Sequence, residues 1–201
     1  RKISKHEILD GNESQPSIFF RSSGTSGKKK WIEHNENSIQ SAVKGLLNWL
    51  KEDELSSWSC LPINHVGGMM PIFRAIFTSG KILFFDYRKL LEEIHTSLII
   101  NKWISLVPTQ LYTLLGTSTG CSNLRLFRGI FIGGAALSEK IIARCRNLDI
   151  PIFPTYGMTE TAGMVTILDS ESFHDGVDGV GKVLSHAQLA TESKDMRISV
   201  K

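Results

Sequence analysis

The sequence predicts an α/β domain with a mainly parallel sheet and flanking helices. Short apolar runs, each long enough for one strand, alternate with segments whose apolar residues recur at helical spacing. Loops rich in glycine and hydroxyl residues follow several of these runs directly. Ligands of parallel α/β sheets bind at the carboxyl ends of the strands, so we expect the site there. With 201 residues, the chain is long enough for one sizeable core.

The individual elements follow from the same patterns. Apolar runs predict strands at 17–21, 31–33, 58–61, 81–85, 103–107, 129–132, 151–153, 164–167 and 196–201. The run at 81–85 reads as a buried strand. Helical spacing predicts helices at 38–51, 69–78, 89–97, 108–115 and 138–147. Asn37 is the expected N-cap of the first helix, Gly80 the C-terminal turn of the second, and Pro108 the first residue of the fourth.

Composition and charge narrow the class of protein. Hydrophobic residues make up 41% and charged residues 21%, which is typical of soluble globular proteins. A net charge of +3 gives no case for DNA or an acidic membrane as partner. The three cysteines are far apart and lack zinc-ligand spacing, which favours a reducing compartment. We expect a cytoplasmic protein, because the sequence contains neither an apolar stretch of the ~18 residues that a membrane span needs nor a signal-peptide core.

The most informative segment is 22–30, which reads Ser-Ser-Gly-Thr-Ser-Gly-Lys-Lys-Lys. Small side chains allow successive backbone N–H groups to surround phosphate oxygens, while hydroxyls and lysines add donors and charge. A polyphosphate suits this chemistry best. Two alternatives are a solvated Ser/Gly linker and a nucleic-acid contact through Lys28–Lys30. The Walker A pattern is excluded, because position 22 is Ser and position 29 is Lys.

Two further segments follow apolar runs. Residues 133–137 read Gly-Gly-Ala-Ala-Leu, and residues 155–160 read Thr-Tyr-Gly-Met-Thr-Glu. In this order and at these separations, the three segments resemble the adenylate-forming superfamily of acyl- and aryl-CoA synthetases, luciferases and peptide-synthetase adenylation domains. The resemblance covers roughly residues 15–201. It implies that residues 1–201 are part of the large N-terminal AMP-binding domain, truncated at both ends.

The resemblance implies a reaction and a set of ATP-binding residues. A carboxylate would react with ATP and Mg²⁺ to give an acyl-adenylate and pyrophosphate, and coenzyme A would then form the thioester. ATP would contact Ser22, Ser23, Gly24, Thr25, Ser26, Gly27, Lys30, Gly133, Gly134, Ala135, Thr155, Tyr156, Gly157 and Thr159. Lys30 would follow the departing pyrophosphate, and Tyr156 would stack on adenine opposite Gly133–Ala135. Lys29 replaces the family's proline, which leaves open which of Lys28–Lys30 reaches the phosphate.

The resemblance makes Glu160 the expected magnesium ligand. Mg²⁺ commonly takes one or two protein carboxylates together with phosphate oxygens and water. Thr159 would donate a hydrogen bond to the α-phosphate. The alternative for Thr159-Glu160 is an ordinary helix start, in which Thr caps and Glu favours the dipole.

The acyl side of the site is expected near residues 61–68, Leu-Pro-Ile-Asn-His-Val-Gly-Gly, which resemble the family's Leu-Pro-x-Phe/Tyr-His-x-x-Gly. His65 would line the acyl channel and gate it, with Gly67 and Gly68 beside it, although Asn64 replaces the usual aromatic. Catalytic roles therefore fall to Lys30, His65, Thr159 and Glu160. The remaining histidines match nothing in the family and are expected at the surface: His6, His34, His95, His174 and His186.

The segment 105–111, Ser-Leu-Val-Pro-Thr-Gln-Leu, is similar to that of o-succinylbenzoate–CoA ligases of menaquinone biosynthesis. The alternative is a core strand and helix of any superfamily member. A substrate with two carboxylates requires a basic or hydroxyl group in the acyl pocket, for which Arg74 and Thr109 are candidates. Gly133 would leave room for the acyl group.

Several family features have no match in the chain. They are the aspartate that grips the ribose, the hinge, and the small C-terminal domain with its lysine. We therefore expect this chain alone to be at best a weak nucleotide binder. The alternatives are a ligase for another aryl or fatty acid and a non-catalytic nucleotide-binding module. The expected partners are a small carboxylic acid, ATP and coenzyme A, without nucleic acid, and the protein is a possible homo-oligomer.

Overall fold

The computed structural model describes residues 16–22, 30–192 and 197–200. The strands are β1 (Ser17–Arg21), β2 (Trp31–Asn35), β3 (Ser57–Ser59), β4 (Ile82–Phe84), β5 (Trp103–Leu106), β6 (Gly129–Ile132), β7 (Ile152–Met158), β8 (Gly163–Ile167), β9 (Lys182–Val183), β10 (Leu189–Glu192) and β11 (Arg197–Val200). The helices are α1 (Glu36–Leu50), α2 (Val66–Thr78), α3 (Pro108–Leu115), α4 (Ser118–Leu124), α5 (Glu139–Asn147) and α6 (Ser170–His174). Short 3-10 turns occupy Tyr87–Leu91, Thr96–Leu98 and Thr159–Thr161.

Seven strands form one sheet in the order β4-β3-β5-β6-β7-β8-β9. Neighbours from β4 to β7 run parallel, whereas β8 and β9 are added antiparallel. The prediction of a mainly parallel sheet with flanking helices is confirmed. The direction of strand addition reverses at β3, which places a topological switch point between β3 and β5, where ligands of such sheets bind.

Each face of the sheet is covered by its own helices. Alternate residues of the central strands, such as Ile104 and Ile130, pack with α3, α4, α5 and α6 in the largest hydrophobic cluster. Their neighbours Trp103 and Phe131 point to the other face, where their rings stack at 4.6 Å and join a cluster with α1. The sheet is therefore the middle layer of three.

The antiparallel hairpin β1–β2 lies outside this sheet. Its inward side chain Phe20 packs with Ile39 of α1 and Met70 of α2. The same cluster contains Ala162, which follows the turn at the end of β7. The hairpin therefore spans the outer surface of α1 and α2 and reaches the carboxyl end of β7.

Most predicted elements are confirmed, but the start of α1 is corrected. Strand β2 continues to Asn35, so Asn35 rather than Asn37 is the N-cap, and its Oδ1 accepts from the Ser38 N–H at 2.9 Å. The helix expected at 89–97 is wrong. Two 3-10 turns replace it, and the Asn123 amide binds the carbonyls of Leu90 and Glu92, which a continuous helix would use itself.

Two strand predictions also change. Strand β4 is at the edge of the sheet, and Phe84 is 55% exposed, so the expectation of a buried strand at 81–85 is wrong. Strand β7 extends to Met158 and so contains the Tyr-Gly segment, because it pairs with β8 beyond the point where its apolar run ends. Helices α4 and α6 and strands β9 and β10 are not among the predicted elements. Among the described residues no helix has the length and apolar character that a membrane crossing needs.

Candidate active site

The loops after β5, β6 and β7 meet at the carboxyl edge of the sheet. The Gly133 N–H donates to the Leu106 carbonyl at 3.4 Å, which ties the start of the Gly-Gly-Ala loop to β5. The Thr155 hydroxyl donates to the Ile132 carbonyl at 3.0 Å, which ties the same loop to β7. The two predicted nucleotide segments, remote in sequence, are thus neighbours in the fold.

A cavity of about 170 Å³ opens beside these loops. Ala135 and Thr155 line it on one side, and the loop 177–180 lines it on the other. Of the predicted adenine wall, Ala135 lines this cavity, whereas Gly133, Gly134 and Tyr156 are not among its lining residues.

Arg146 holds the far wall of this cavity, and sequence analysis missed it. Its Nε donates to the Phe173 carbonyl at 2.7 Å, its guanidinium lies over the Phe173 ring, and a second nitrogen donates to the Val177 carbonyl at 3.2 Å. These contacts fix the start of the 177–180 loop against α5 and α6. The only signal in the sequence is a basic residue in the last turn of a helix, which is too common to identify such a contact.

The segment Thr155–Glu160 begins within the last residues of β7, where the pairing with β8 is irregular. The β7–β8 register shifts between Tyr156 and Gly157, and a Cβ on Gly157 would overlap the Gly163 carbonyl oxygen. The glycine is required by this close approach, whatever ligand binds nearby. After the shift, the chain turns at Thr159–Thr161, where the Thr161 hydroxyl donates within the turn to the Gly163 carbonyl at 2.6 Å.

Glu160 lies at the tip of this turn and is exposed. No cluster of three metal-ligating side chains occurs in the part of the chain that the structure describes. One free carboxylate is a poor site for a metal held by protein alone. It fits Mg²⁺, which accepts a single carboxylate when phosphate oxygens and water complete the shell.

The described ends of the predicted phosphate loop are Ser22 and Lys30. The Ser22 N–H donates to the Lys30 carbonyl at 2.8 Å, and the Lys30 N–H donates to the Ser22 hydroxyl at 3.1 Å. These bonds close the mouth of the loop at the end of the β1–β2 hairpin. Ser23, Gly24, Thr25, Ser26, Gly27, Lys28 and Lys29 lie outside the described residues.

His34 ties the hairpin to the turn that carries Glu160. It is 6% exposed, and its Nε2 lies 2.7 Å from the Thr159 carbonyl oxygen, while Nδ1 lies 3.3 Å from the Ser38 hydroxyl. The expectation of a surface position is wrong for this residue. Strand alternation offered a signal, because it places His34 on the same side of β2 as the apolar Ile32.

The other histidines differ in how exposed they are. His95 is exposed, as expected, while His174 is half-buried and lies 3.0 Å from the Ile150 carbonyl oxygen. His186 is half-buried, and a Cβ on Gly45 of α1 would overlap its ring. A surface position is wrong for His186 and His174, because both rings pack against neighbouring elements. His6 lies outside the described residues.

His65 and its glycines begin α2. His65 is the exposed N-cap residue, and its side chain makes no cap hydrogen bond. A Cβ on Gly68 would overlap the Pro62 carbonyl oxygen, so this glycine lets the helix start close against the preceding loop. Gly67 meets only ordinary contact from Leu61. Packing alone therefore requires a glycine at position 68, whether or not a substrate binds nearby.

Arg74 lies further along α2, facing the sheet. It is 5% exposed, its guanidinium carbon lies 5.5 Å from the centre of the Phe131 ring, and its Nε has no hydrogen-bond partner among the described residues. Burial lowers the pKa of Arg74 to about 10. Thr109, the other candidate, is exposed in the first turn of α3, which packs on the opposite face. The structure does not bring the two candidates together.

Comparison with known proteins places the chain. Residues 4–198 match the family model described as AMP-binding enzyme. A 2-succinylbenzoate–CoA ligase from Lactococcus lactis subsp. lactis is 30% identical over 191 residues, which cover 93% of this chain and 41% of that protein. The enzyme of the same name from Listeria monocytogenes is 31% identical and is matched over 38% of its length. The chain therefore spans about two fifths of the curated relatives that it matches.

Solved structures share the fold. The o-succinylbenzoate coenzyme A synthetase from Bacillus subtilis, in complex with ATP and magnesium ion, superposes with a TM-score of 0.73 at 24% identity, covering 90% of this chain and 38% of that one. An acyl-CoA synthetase-like protein from Dyadobacter fermentans superposes with a TM-score of 0.73 at 16% identity, covering 98% of this chain and 57% of that one.

Proposed function

Because this chain belongs to the AMP-binding enzyme family, we propose that it is part of an ATP-dependent acid–CoA ligase whose acid is o-succinylbenzoate. The curated relatives named for that reaction, about 30% identical over most of the chain, support the assignment. The products would be AMP, pyrophosphate and the CoA thioester, which belongs to menaquinone biosynthesis. Cytoplasmic location and homo-oligomerisation stay predictions.

The choice of acid rests on the burial of Arg74 and on its Nε, which has no acceptor among the described residues. An anion that enters beside such a cation relieves the cost of its burial. A diacid supplies such an anion while its other carboxylate reacts. An aliphatic acyl chain would leave the guanidinium unpaired, which disfavours a fatty acid. Arg74 therefore recognises the carboxylate that is not activated.

In the first half-reaction, an oxygen of the acid attacks the α-phosphorus of ATP, and the bond to the bridging oxygen of pyrophosphate breaks. Magnesium supplies positive charge that offsets the repulsion between the two anions. Glu160 would hold the metal, and Thr159 would donate to the α-phosphate. Ser22 and Lys30, at the mouth of the phosphate loop, would hold the leaving pyrophosphate together with residues 23–27.

The nucleoside and acyl ends would lie on either side of this centre. Tyr156, which is half-buried, would stack on adenine, and Gly133–Ala135 would form the facing wall. His65, exposed at the start of α2, would line the entrance for the acid. In the second half-reaction, the thiolate of coenzyme A attacks the acyl carbon and AMP leaves.

Acid-dependent ATP–pyrophosphate exchange in the complete parent protein tests the proposal. O-succinylbenzoate should support exchange, whereas benzoylpropionate, which has the same skeleton without the ring carboxylate, should support much less. Arg74→Leu should lower kcat/KM for o-succinylbenzoate by about 10- to 100-fold, the value of a charged hydrogen bond, and should barely affect benzoylpropionate. Glu160→Gln should abolish exchange with both acids.

Arg88→Leu is the matched control, since Arg88 is an arginine with a 70% exposed side chain. It should leave exchange unchanged. Exchange with a fatty acid, unaffected by Arg74→Leu, would overturn the assignment of the acid and retain the reaction. Binding of ATP without exchange for any acid would indicate a non-catalytic nucleotide-binding module.

A further inference from the structure

We infer that His34 is a positioning residue, which sets the metal-binding turn at Thr159–Thr161 in place relative to the phosphate loop. The inference rests on the proposed function, because that function requires the two segments to hold one ATP molecule. Nothing in the three sequence motifs includes His34. Its role follows from its contacts in the folded chain.

The two segments reach the site on separate parts of the fold. The phosphate loop is carried by the β1–β2 hairpin, which pairs with no strand of the seven-stranded sheet, and Glu160 follows β7 within that sheet. Reacting groups must be held within about half an ångström of their productive positions. Because the two strands of the hairpin pair with no described strand of that sheet, the hairpin needs some other fixed contact with it.

His34 supplies such a contact. It lies four residues after Lys30 on β2, and its Nε2 is 2.7 Å from the carbonyl oxygen of Thr159, a residue 125 positions away. A carbonyl oxygen only accepts hydrogen bonds, so Nε2 must carry the proton and donate. The acceptor is the main chain of the residue next to Glu160, so the bond fixes the backbone from which that carboxylate projects.

The surroundings hold the imidazole itself in place. Its Nδ1 lies 3.3 Å from the Ser38 hydroxyl oxygen, whose one proton has two acceptors within reach, Nδ1 and the Asn35 carbonyl oxygen at 2.9 Å. The Phe20 ring lies 6.0 Å away at a tilted angle, and Phe20 packs with Ala162 at the end of the turn. Within the described residues, the hairpin meets the turn through apolar packing and through the directed His34 hydrogen bond, and a directed hydrogen bond fixes orientation.

The turn has hydrogen bonds of its own, so its local conformation does not depend on the His34 contact that sets its position. The Thr161 hydroxyl lies 3.1 Å from the Met158 N–H and 2.6 Å from the Gly163 carbonyl oxygen. These bonds keep the turn folded when His34 is changed. A loss of the His34 bond should therefore misplace Glu160 relative to the phosphates without unfolding the segment.

Two variants in the complete parent protein separate the hydrogen bond from packing. His34→Phe keeps a planar ring and loses the donor, whereas His34→Gln retains an amide donor at a similar reach. His95→Phe is the matched control, because His95 is exposed on a remote 3-10 turn. All four proteins are compared in thermal unfolding, so that a general loss of stability is recognised.

The first readout is metal binding, measured as free Mn²⁺ by electron paramagnetic resonance with a non-hydrolysable ATP analogue present. His34→Phe should weaken Mn²⁺ binding about tenfold, while His34→Gln and His95→Phe should remain within about threefold of the native protein. In ATP–pyrophosphate exchange, His34→Phe should raise the Mg²⁺ requirement and lower kcat, with KM for the acid unchanged.

Native-like Mn²⁺ binding in His34→Phe would overturn the inference, as would a Gln variant that is as impaired as Phe at equal thermal stability. Neither result touches the proposed function, which stands or falls on exchange with o-succinylbenzoate by the native protein. Conversely, a native protein that binds Mn²⁺ with the ATP analogue, loses that binding in His34→Phe, and activates no acid would support the inference and overturn the proposed function.

Discussion

Ile130 and Phe131 are neighbours on β6, yet they point to faces of the sheet that bury different kinds of side chain. Ile130 joins a cluster of aliphatic, aromatic and cysteine residues under α3, α4, α5 and α6. Phe131 faces α2 and lies beneath the guanidinium of Arg74. Of the buried residues that the structure describes, the two that can carry positive charge, Arg74 and His34, belong to the α1–α2 side.

The buried polar groups on the two sides of the sheet also differ in their hydrogen bonding and charge. On the α3–α6 side, the Asn123 amide donates to two carbonyls at 2.9 Å, and burial raises the pKa of the Cys145 thiol to about 12, so that it stays neutral. On the α1–α2 side, Arg74 Nε lacks a hydrogen-bond partner among the described residues. Trp58 Nε1, in the cluster on the α3–α6 side, is also without a partner among the described residues, so unpaired polar atoms occur on both sides, but the unpaired atom of a charged side chain lies on the α1–α2 side.

The largest expected effect is on the apolar side. Ile130→Ala should lower the free energy of unfolding by about 2–5 kcal/mol, because it leaves a cavity in a fully buried cluster. Urea denaturation measures this. Ile76→Ala, at a residue that is 65% exposed, is the control and should stay within about 0.5 kcal/mol of the native value. Equal effects at the two positions would contradict the assigned core.

Arg74→Leu should have the opposite sign. Replacing a buried charge with an apolar side chain of similar volume should raise the free energy of unfolding without ligand by about 1–4 kcal/mol. The same variant should lose o-succinylbenzoate, so stability and function would move in opposite directions. A destabilised Arg74→Leu would mean that the guanidinium is satisfied in the complete protein, and the contrast between the two faces would not hold.

Asn123→Leu should destabilise by about 1–3 kcal/mol, since it leaves the Leu90 and Glu92 carbonyls without their donor. The loss should be concentrated in the 3-10 turns, so amide hydrogen exchange should rise between residues 87 and 98. Exchange that increases uniformly over the whole chain would contradict a local role.

The smallest effect concerns pH. Burial lowers the pKa of His186 below its ordinary 6.5, so the unfolded chain binds a proton there before the folded chain does. Stability from this residue is present above about pH 6.5 and is lost as the pH falls through that value towards the folded pKa. The slope should stay below about 1.4 kcal/mol per pH unit, the limit for one proton. His186→Phe should flatten it in urea titrations between about pH 8 and pH 5, and an unchanged slope would assign the pH dependence to other groups.

Local pattern was sufficient where a few adjacent residues decide the structure. The apolar run at 129–132 and the proline at position 108 gave the bounds of β6 and α3 correctly. Local sequence pattern gave wrong predictions where a residue or strand distant in the sequence determines the structure. The segment at 89–97 has helical spacing, but the Asn123 amide binds the carbonyls of Leu90 and Glu92. The apolar run at 81–85 becomes an exposed edge strand, because none of the described strands pairs on its outer side.

The sequence by itself determined the family, because the spacing of small, hydroxyl and acidic residues in three loops is a property of the chain alone. It also identified Arg74 and Glu160 as candidates from the types and positions of the residues. Only the tertiary structure decided that Arg74 is buried with its Nε unpaired among the described residues while Thr109 is exposed, and that His34 meets the Thr159 carbonyl. These facts depend on how helices and the hairpin pack against distant parts of the chain. His34 and Thr159, for example, are 125 positions apart, and the sequence around neither residue encodes the distance between them.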